Sequence, residues 1–265
     1  MTNAEFALAA RKDILSGLHN SLQSHIGSCL SCIDILSVLY NSVLRLEPHN
    51  PQAPNRDRLL LSKGHAIFAL LVCLAYRGFI DRSDLDAYCS DGSRYTGHPI
   101  RDNVPGVEIT SGSLGHGLPM ASGMAVACRI KGDLGKVFCL MGDGECNEGA
   151  VWEAAMFAAK HRLNNLIAIV DRNRLQSYGR DEQVLDMGDL AAKFATFGWK
   201  TLNIDGHNYD EIEEAMRVTS EKPIAVIAHT IKGKGISFME DKQEWHFLSP
   251  KEEHYKAGMK ELNNA

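Results

Sequence analysis

Apolar and polar positions follow two rhythms along this chain. Short apolar runs over 137–141 and 166–170 read as strands buried on both faces, and 58–62, 199–204 and 223–229 read as three more. Between them the apolar positions fall into helical stripes. Phe6, Ala7, Ala10, Ile14, Leu15 and Leu18 form one and predict a helix over 4–20. Further helices are predicted over 31–44, 66–77, 120–130, 148–163, 188–197 and 208–219, with a short one over 83–88 opened by Ser83 and a polar tail helix over 251–262. Segments 50–55, 91–105, 174–185 and 230–250 read as loops. This alternation, without repeat or linker, predicts an α/β fold. It is an open, mostly parallel sheet with helices on both faces, forming a single domain over 1–265.

The stretch 141–176 organises the rest. A strand ends in Gly142-Asp143-Gly144, a helix follows, and a second strand ends in Asp171-Arg172-Asn173. In a strand–helix–strand unit both strand ends lie on one edge, so Asp143 and Asn173 project into the same crevice. A carboxylate and an amide oxygen there suit a hard cation such as Mg²⁺, and the glycine turn offers backbone N–H groups to phosphates. A second glycine loop, Gly112-Ser113-Leu114-Gly115-His116-Gly117, precedes a helix of small residues. His25, His65 and His98 sit in glycine-flanked turns, where imidazoles can gather around a polar substrate and titrate near neutrality.

Composition narrows the choice by exclusion. The chain has 265 residues, 45% hydrophobic and 23% charged, with a formal net charge of −5 and no long basic run. Nucleic acid is not an expected partner. No apolar run approaches the roughly 20 residues of a membrane span, and the charged N-terminus reads as a helix, not a signal peptide. Seven cysteines without framework spacing suggest reduced, buried thiols and a cytoplasmic protein. Cys29 and Cys32 have no second pair for zinc and read as helix packing.

Six stretches resemble the transketolase family, in the family's order: SHIGSCLSCIDIL, LSKGHA, TGHP, GSLGHGLPMASGMA, GDGECNEGAVWEAAMFAAKHRLNNLIAIVDRNRLQ and HTIKGKGISFMEDKQEWH. The resemblance runs from about residue 5 to 250. It implies the diphosphate-binding half of a thiamine-diphosphate-binding fold. Mg²⁺ (with Ca²⁺ or Mn²⁺ as substitutes) would be held by Asp143, Asn173 and the carbonyl of Leu175, and Gly144 would donate its N–H to the diphosphate. His65 would lie near diphosphate and substrate. His25 and His98 would bind the ketose around its carbonyl, and His246 would reach the diphosphate and the reacting carbon. Gly112 and Leu114 match positions that contact the cofactor rings. Glu148 and Glu153 match acidic residues of the family's subunit contacts, although a carboxylate in a first helical turn is also favourable by itself. His19, His49, His161, His207, His229 and His254 read as structural or merely exposed, His229 least securely because it ends a strand at the site edge.

The chain departs from the family pattern at Ser24-His25-Ile26, where Gly-His-Pro is frequent. His116 replaces a common glutamine, Phe247 a usual glycine, and Arg172 and Arg174 flank Asn173. These changes border the substrate side and leave the sugar open between pentose phosphates and specialised ketoses. The resemblance covers only the N-terminal half of a full transketolase. The implied function is therefore transfer of a two-carbon ketol unit by a split enzyme. Its partner would be a separate C-terminal subunit, in an α2β2 heterotetramer. Two alternatives stand beside it. One is another thiamine enzyme, of deoxyxylulose-phosphate synthase or 2-oxoacid dehydrogenase type; the other is a non-catalytic cofactor-binding relic.

Overall fold

Five strands, β1 (Arg58–Leu61), β2 (Val137–Gly142), β3 (Leu166–Arg172), β4 (Lys200–Asp205) and β5 (Ile224–His229), lie in the order β1-β2-β3-β5-β4 in this computed structural model of residues 1–265. Every neighbouring pair is parallel, so the sheet is wholly parallel where the sequence predicted mostly parallel. Period-two alternation explains why the strands read as unbroken apolar runs. Phe138, Leu140, Ile167 and Ile169 enter one core, while Cys139, Met141, Ala168 and Val170 enter the other.

The first core is covered by α1 (Asn3–Asn20), α2 (Ile26–Val38), α3 (Ile67–Tyr76) and, beyond α4 (Gly117–Lys131), α5 (Gly149–Lys160), α6 (Asp181–Val184) and α7 (Leu190–Thr196), by α8 (Tyr209–Arg217). The second lies under α4, α5 and α7. The tail helix α9 (Glu252–Asn263) is not loose: Leu262 is buried, and Gly258 approaches Leu15 of α1 too closely for a β-carbon.

Two expectations change. α2 begins at Ile26 rather than near residue 31 and runs on through a π-turn at Leu39–Val43. The resulting helix, Ile26–Val43, has mean hydropathy 1.5 and is long and apolar enough to cross a membrane, against the expectation of no such run. It is a core helix, since 83% of it is buried inside the protein. Ser28, Ser31, Ser37 and Asp34, which break the apolar run in the sequence, are buried as well, and Ser31 and Asp34 take internal partners. Within loop 174–185, a β-bridge between Leu175 and Arg180 and the single turn of α6 add local order.

Candidate functional site

The carboxyl ends of β1, β2, β3 and β5 open onto one cleft of ≈ 130 Å³, of whose 12 lining residues only two are hydrophobic. Asp143, Gly144, Asn173, Leu175, His65, His246, Leu114 and Lys232 are among them. The turns that supply these groups are packed together by glycines. Gly27 lets the backbone of Trp245 and the stem of Lys232 lie against the start of α2. Gly115, at φ 85°, rests on the side chain of Glu148 and donates its N–H to Glu145 at 2.9 Å.

Two buried lysines set the electrostatics. Lys63, just past β1, is ion-paired with Asp171 at the end of β3 and also donates to the carbonyl of Ser28 at 3.3 Å. Asp171 accepts further hydrogen bonds from Ser31 (2.7 Å) and Thr230. Burial works to raise its pKa, but Lys63 and these donors outweigh burial and hold it low. Asp171 and Ser31 in turn accept from Nδ2 of Asn173, at 3.3 and 3.1 Å. An amide can donate only through nitrogen, so its Oδ1 is turned the other way, where it accepts from the N–H of Leu175 at 3.0 Å.

Asp143 is buried with no lysine on it. It accepts from the N–H groups of Gly144 (2.7 Å) and Arg174 (2.5 Å), and the Arg172 guanidinium stands 3.7 Å away, engaged with Asp181. Burial first, and Asp171 second, push its pKa up. Lys232 donates to the carbonyl of Leu175 at 3.0 Å and to Nδ1 of His246 at 2.8 Å. Burial, and then the charge of Lys63, pull Lys232 down to about 8.

Four imidazoles gather above this floor. Ring centroids of His25 lie 5.4 Å from His65, 5.2 Å from His246 and 6.3 Å from His98, and His65 lies 5.2 Å from His246. His25 takes a left-handed conformation (φ 72°) immediately before α2, which turns its ring into the group. Burial is the main cause that lowers His25 to about 4 and His246 to about 3, with His98 and Lys232 the next contributors; burial and Lys63 take His65 well below its ordinary value. These shifts favour the neutral form of all three rings at physiological pH, and for His25 and His65 this departs from the expectation of titration near neutrality. Nδ1 of His246 is an acceptor from Lys232, which leaves Nε2 to carry its proton.

The family model for the transketolase thiamine-diphosphate-binding domain matches residues 7–262. The chain belongs to the transketolase family. It is 40% identical over 259 residues to one subunit of an apulose-4-phosphate transketolase from Phocaeicola vulgatus, covering 96% of this chain and 91% of that protein. It is 41% identical over 242 residues to a 6-deoxy-6-sulfo-D-fructose transketolase subunit of a Clostridium species, covering 90% and 88%. The transketolase structure from Campylobacter jejuni superposes with a TM-score of 0.90 at 32% identity, over 98% of this chain and 42% of that one. The chain thus spans about two fifths of the solved transketolases, as their thiamine-diphosphate-binding part, and nearly all of the relatives that are themselves single subunits.

Of the residues expected from transketolase motifs, the cleft brings together His65, Leu114, Asp143, Gly144, Asn173, Leu175 and His246, with His25 tilted against His65 and His98 edge-on to His25 beside it. Gly112 lies against the His98 ring. Glu148 and Glu153 are exposed and line no part of the cleft. His116 is exposed as the N-cap of α4, and Phe247, 54% exposed, sits edge-on to His246 at the rim. Arg174 is exposed beyond Asn173, and His229 bonds Asn203 away from the cleft. Sequence reasoning missed Lys63, Asp171, Lys232 and Glu145. Their signal was slight: each stands at or just beyond the carboxyl end of an apolar strand, and Lys63, Lys232 and Glu145 are next to a glycine. Cys29 and Cys32 are buried thiols raised by burial to about 11 and about 12, in keeping with packing.

The residues present fit a divalent cation and a diphosphate. Asp143 is a buried carboxylate whose nearest cationic atom belongs to an arginine already committed elsewhere, and two oxygens of hard-cation type, Asn173 Oδ1 and the Leu175 carbonyl, line the same cleft. Gly142 has open space where a β-carbon would stand.

Proposed function

We propose that this chain is the cofactor-anchoring subunit of a two-chain transketolase that moves a two-carbon ketol unit from a ketose to an aldose. The observation that carries the reading is the convergence of Asp143, Asn173 and the Leu175 carbonyl with a neutral histidine cluster in one polar cleft. When bound, thiamine diphosphate supplies the carbanion chemistry that no protein side chain can. Asp143, Asn173 and the Leu175 carbonyl would hold Mg²⁺, with Ca²⁺ or Mn²⁺ as substitutes. Gly144, whose N–H is bonded to its neighbour's carboxylate at 2.7 Å, would offer that N–H to the diphosphate. Lys232, whose ammonium lies on the Leu175 carbonyl, would offer the diphosphate a cationic donor. His25 and His98 hold the ketose around its carbonyl, and His65 and His246, neutral and carrying one N–H each, donate to and accept from its hydroxyls.

Both subunit relatives are named for ketoses bearing an anionic group, a phosphate or a sulfonate, and ketoses of that class are the proposed donors. A C-terminal partner is inferred from those same relatives and from exposed apolar residues on α4 and α5. Met120 and Ile130 on α4, and Met156 and Phe157 on α5, stand exposed on two helices that pack against each other, and exposed apolar groups of this size mark an interaction surface. We place the enzyme in the cytoplasm as an α2β2 assembly, with this chain acting as one domain. Its seven free cysteines suit a reducing compartment.

Purified chain, Mg²⁺, thiamine diphosphate and a ketose-phosphate/aldose-phosphate pair should give no turnover until the C-terminal partner is added. Robust turnover by this chain alone would sink the two-chain reading, and turnover of pyruvate instead of a ketose would replace it with another thiamine enzyme.

A further inference from the structure

Behind the loop that carries Lys232 lies a second polar cluster, outside the cleft. Asp34, in the middle of α2 and 1% exposed, accepts four side-chain hydrogen bonds from three other elements. Arg11 of α1 grips both its oxygens, at 2.9 and 2.6 Å. Nδ1 of His207, between β4 and α8, donates at 2.7 Å, and the Tyr209 hydroxyl donates at 2.9 Å. Burial opposes ionisation of Asp34, yet His207 and Arg11 hold it down to about 2. A buried carboxylate this well satisfied is stiff, and so are the groups it holds.

Two of those groups reach on to the Lys232 loop. Nε2 of His207 accepts the N–H of Ile231 at 2.8 Å. A backbone N–H can only donate, so Nε2 carries a lone pair, and the ring is neutral with its single proton on Nδ1, facing Asp34. Nε of Arg11 donates to the carbonyl of Lys234 at 3.0 Å. Between these two anchors stands Lys232, whose ammonium lies on the Leu175 carbonyl and His246. Gly233 and Gly235, which follow Lys232 on either side of Lys234, sit at φ 81° and 97°, and a β-carbon on Gly235 would meet Nε of Arg11 at 2.7 Å. Glycine-rich backbone has many conformations to choose from, so the bonds that select one of them decide where Lys232 points.

We propose that His207 is a positioning residue for the cofactor site: held by Asp34 on one nitrogen, it fixes Ile231 with the other and so sets the direction of Lys232. Arg11 completes the clamp at Lys234. His207 touches no reacting group and acts only through the loop. Outer-shell groups of this kind tune affinity at a charged site much as ligand-orienting residues do around metals. The inference rests on the cleft being a metal–diphosphate site.

The test exploits the two ends of the imidazole. His207→Gln keeps an acceptor oxygen near the Nε2 position, facing Ile231. His207→Asn keeps a donor near the Nδ1 position, facing Asp34, and loses the Ile231 bond. The full chain is compared by amide hydrogen exchange over 230–236 and by calorimetric titration with thiamine diphosphate in Mg²⁺. In His207→Asn the Ile231 amide should exchange about tenfold faster, as expected for one lost hydrogen bond. Affinity should fall by about tenfold as well. His207→Gln should stay within about twofold of wild type on both readouts. Equal behaviour of the two variants, or faster exchange with unchanged affinity, overturns the proposal. Failure of the wild-type chain to bind overturns the site reading instead, and the exchange comparison still decides whether His207 holds the loop.

Discussion

At the scale of single residues, Asp171 does two jobs that can be separated. It neutralises Lys63 and it orients the Asn173 amide. Asp171→Asn leaves a buried lysine without a counter-charge, which should cost about 3–5 kcal/mol in denaturant unfolding. Replacing the pair together, as Lys63→Met with Asp171→Leu, should recover most of that stability, because well-packed apolar groups often substitute for a buried ion pair. Metal-dependent binding of thiamine diphosphate should not recover, falling by about 10–100-fold because only Ser31 is then left to hold the Asn173 nitrogen and turn Oδ1 to the cation. Wild-type affinity in the double variant would show that the amide needs no such guide. Asp143→Ala should abolish the metal dependence of cofactor binding altogether, as read by calorimetry with and without chelator; unchanged affinity would count against the cation site.

The histidines give a pH signature. His25 and His246 are held at about 4 and about 3, below the ordinary 6.5. The unfolded chain binds protons below pH 6.5 that the folded chain refuses. The stability these neutral rings allow is therefore complete above pH 6.5 and is lost as pH falls toward 4 and then 3. Melting temperature should drop steadily from pH 7 to pH 4.5, and His246→Gln should make the drop shallower. A flat profile in the wild type would contradict the burial of these rings. Bound diphosphate, as an anion beside them, should favour their charged forms, bring their folded-state pKa values back toward 6.5 and so make the drop smaller.

At the scale of elements, glycines decide how closely helices approach. Gly17 in α1 faces Phe68 of α3, and a β-carbon there would overlap the phenyl ring. Gly17→Ala gains about 1 kcal/mol in helix propensity. It should still be a net loss, since forcing a methyl group into a packed core costs about 1–3 kcal/mol or more. Urea unfolding would read the sign, and Phe68→Leu in the same chain should relieve part of the loss. The early start of α2 belongs to this scale too. Residues 26–28 belong to a turn-like Ser-His-Ile-Gly-Ser, and 26–30 offer weak helical cues by themselves. Their burial against α3 and the loop around Trp245 makes them helical, as tertiary packing commonly overrides local propensity.

At the scale of the whole molecule, the order of the sheet brings separate segments of the chain to one edge, and that edge is the candidate site. The sequence by itself determined the α/β class, most element positions, and the Asp143–Asn173 pairing, because each is written in local periodicity or in strand–turn–helix order. Family resemblance added His246 and the roles of the histidine turns. Only the tertiary structure decided which charges meet. Lys63 and Asp171 are 108 positions apart, and Asp34 and His207 are 173 apart, with no local pattern to connect them. It also decided protonation, since desolvation depends on what surrounds a ring and not on which residues precede it. The same residue type is therefore a neutral ring facing the proposed substrate site at His65 and a loop clamp at His207, and folding alone tells them apart.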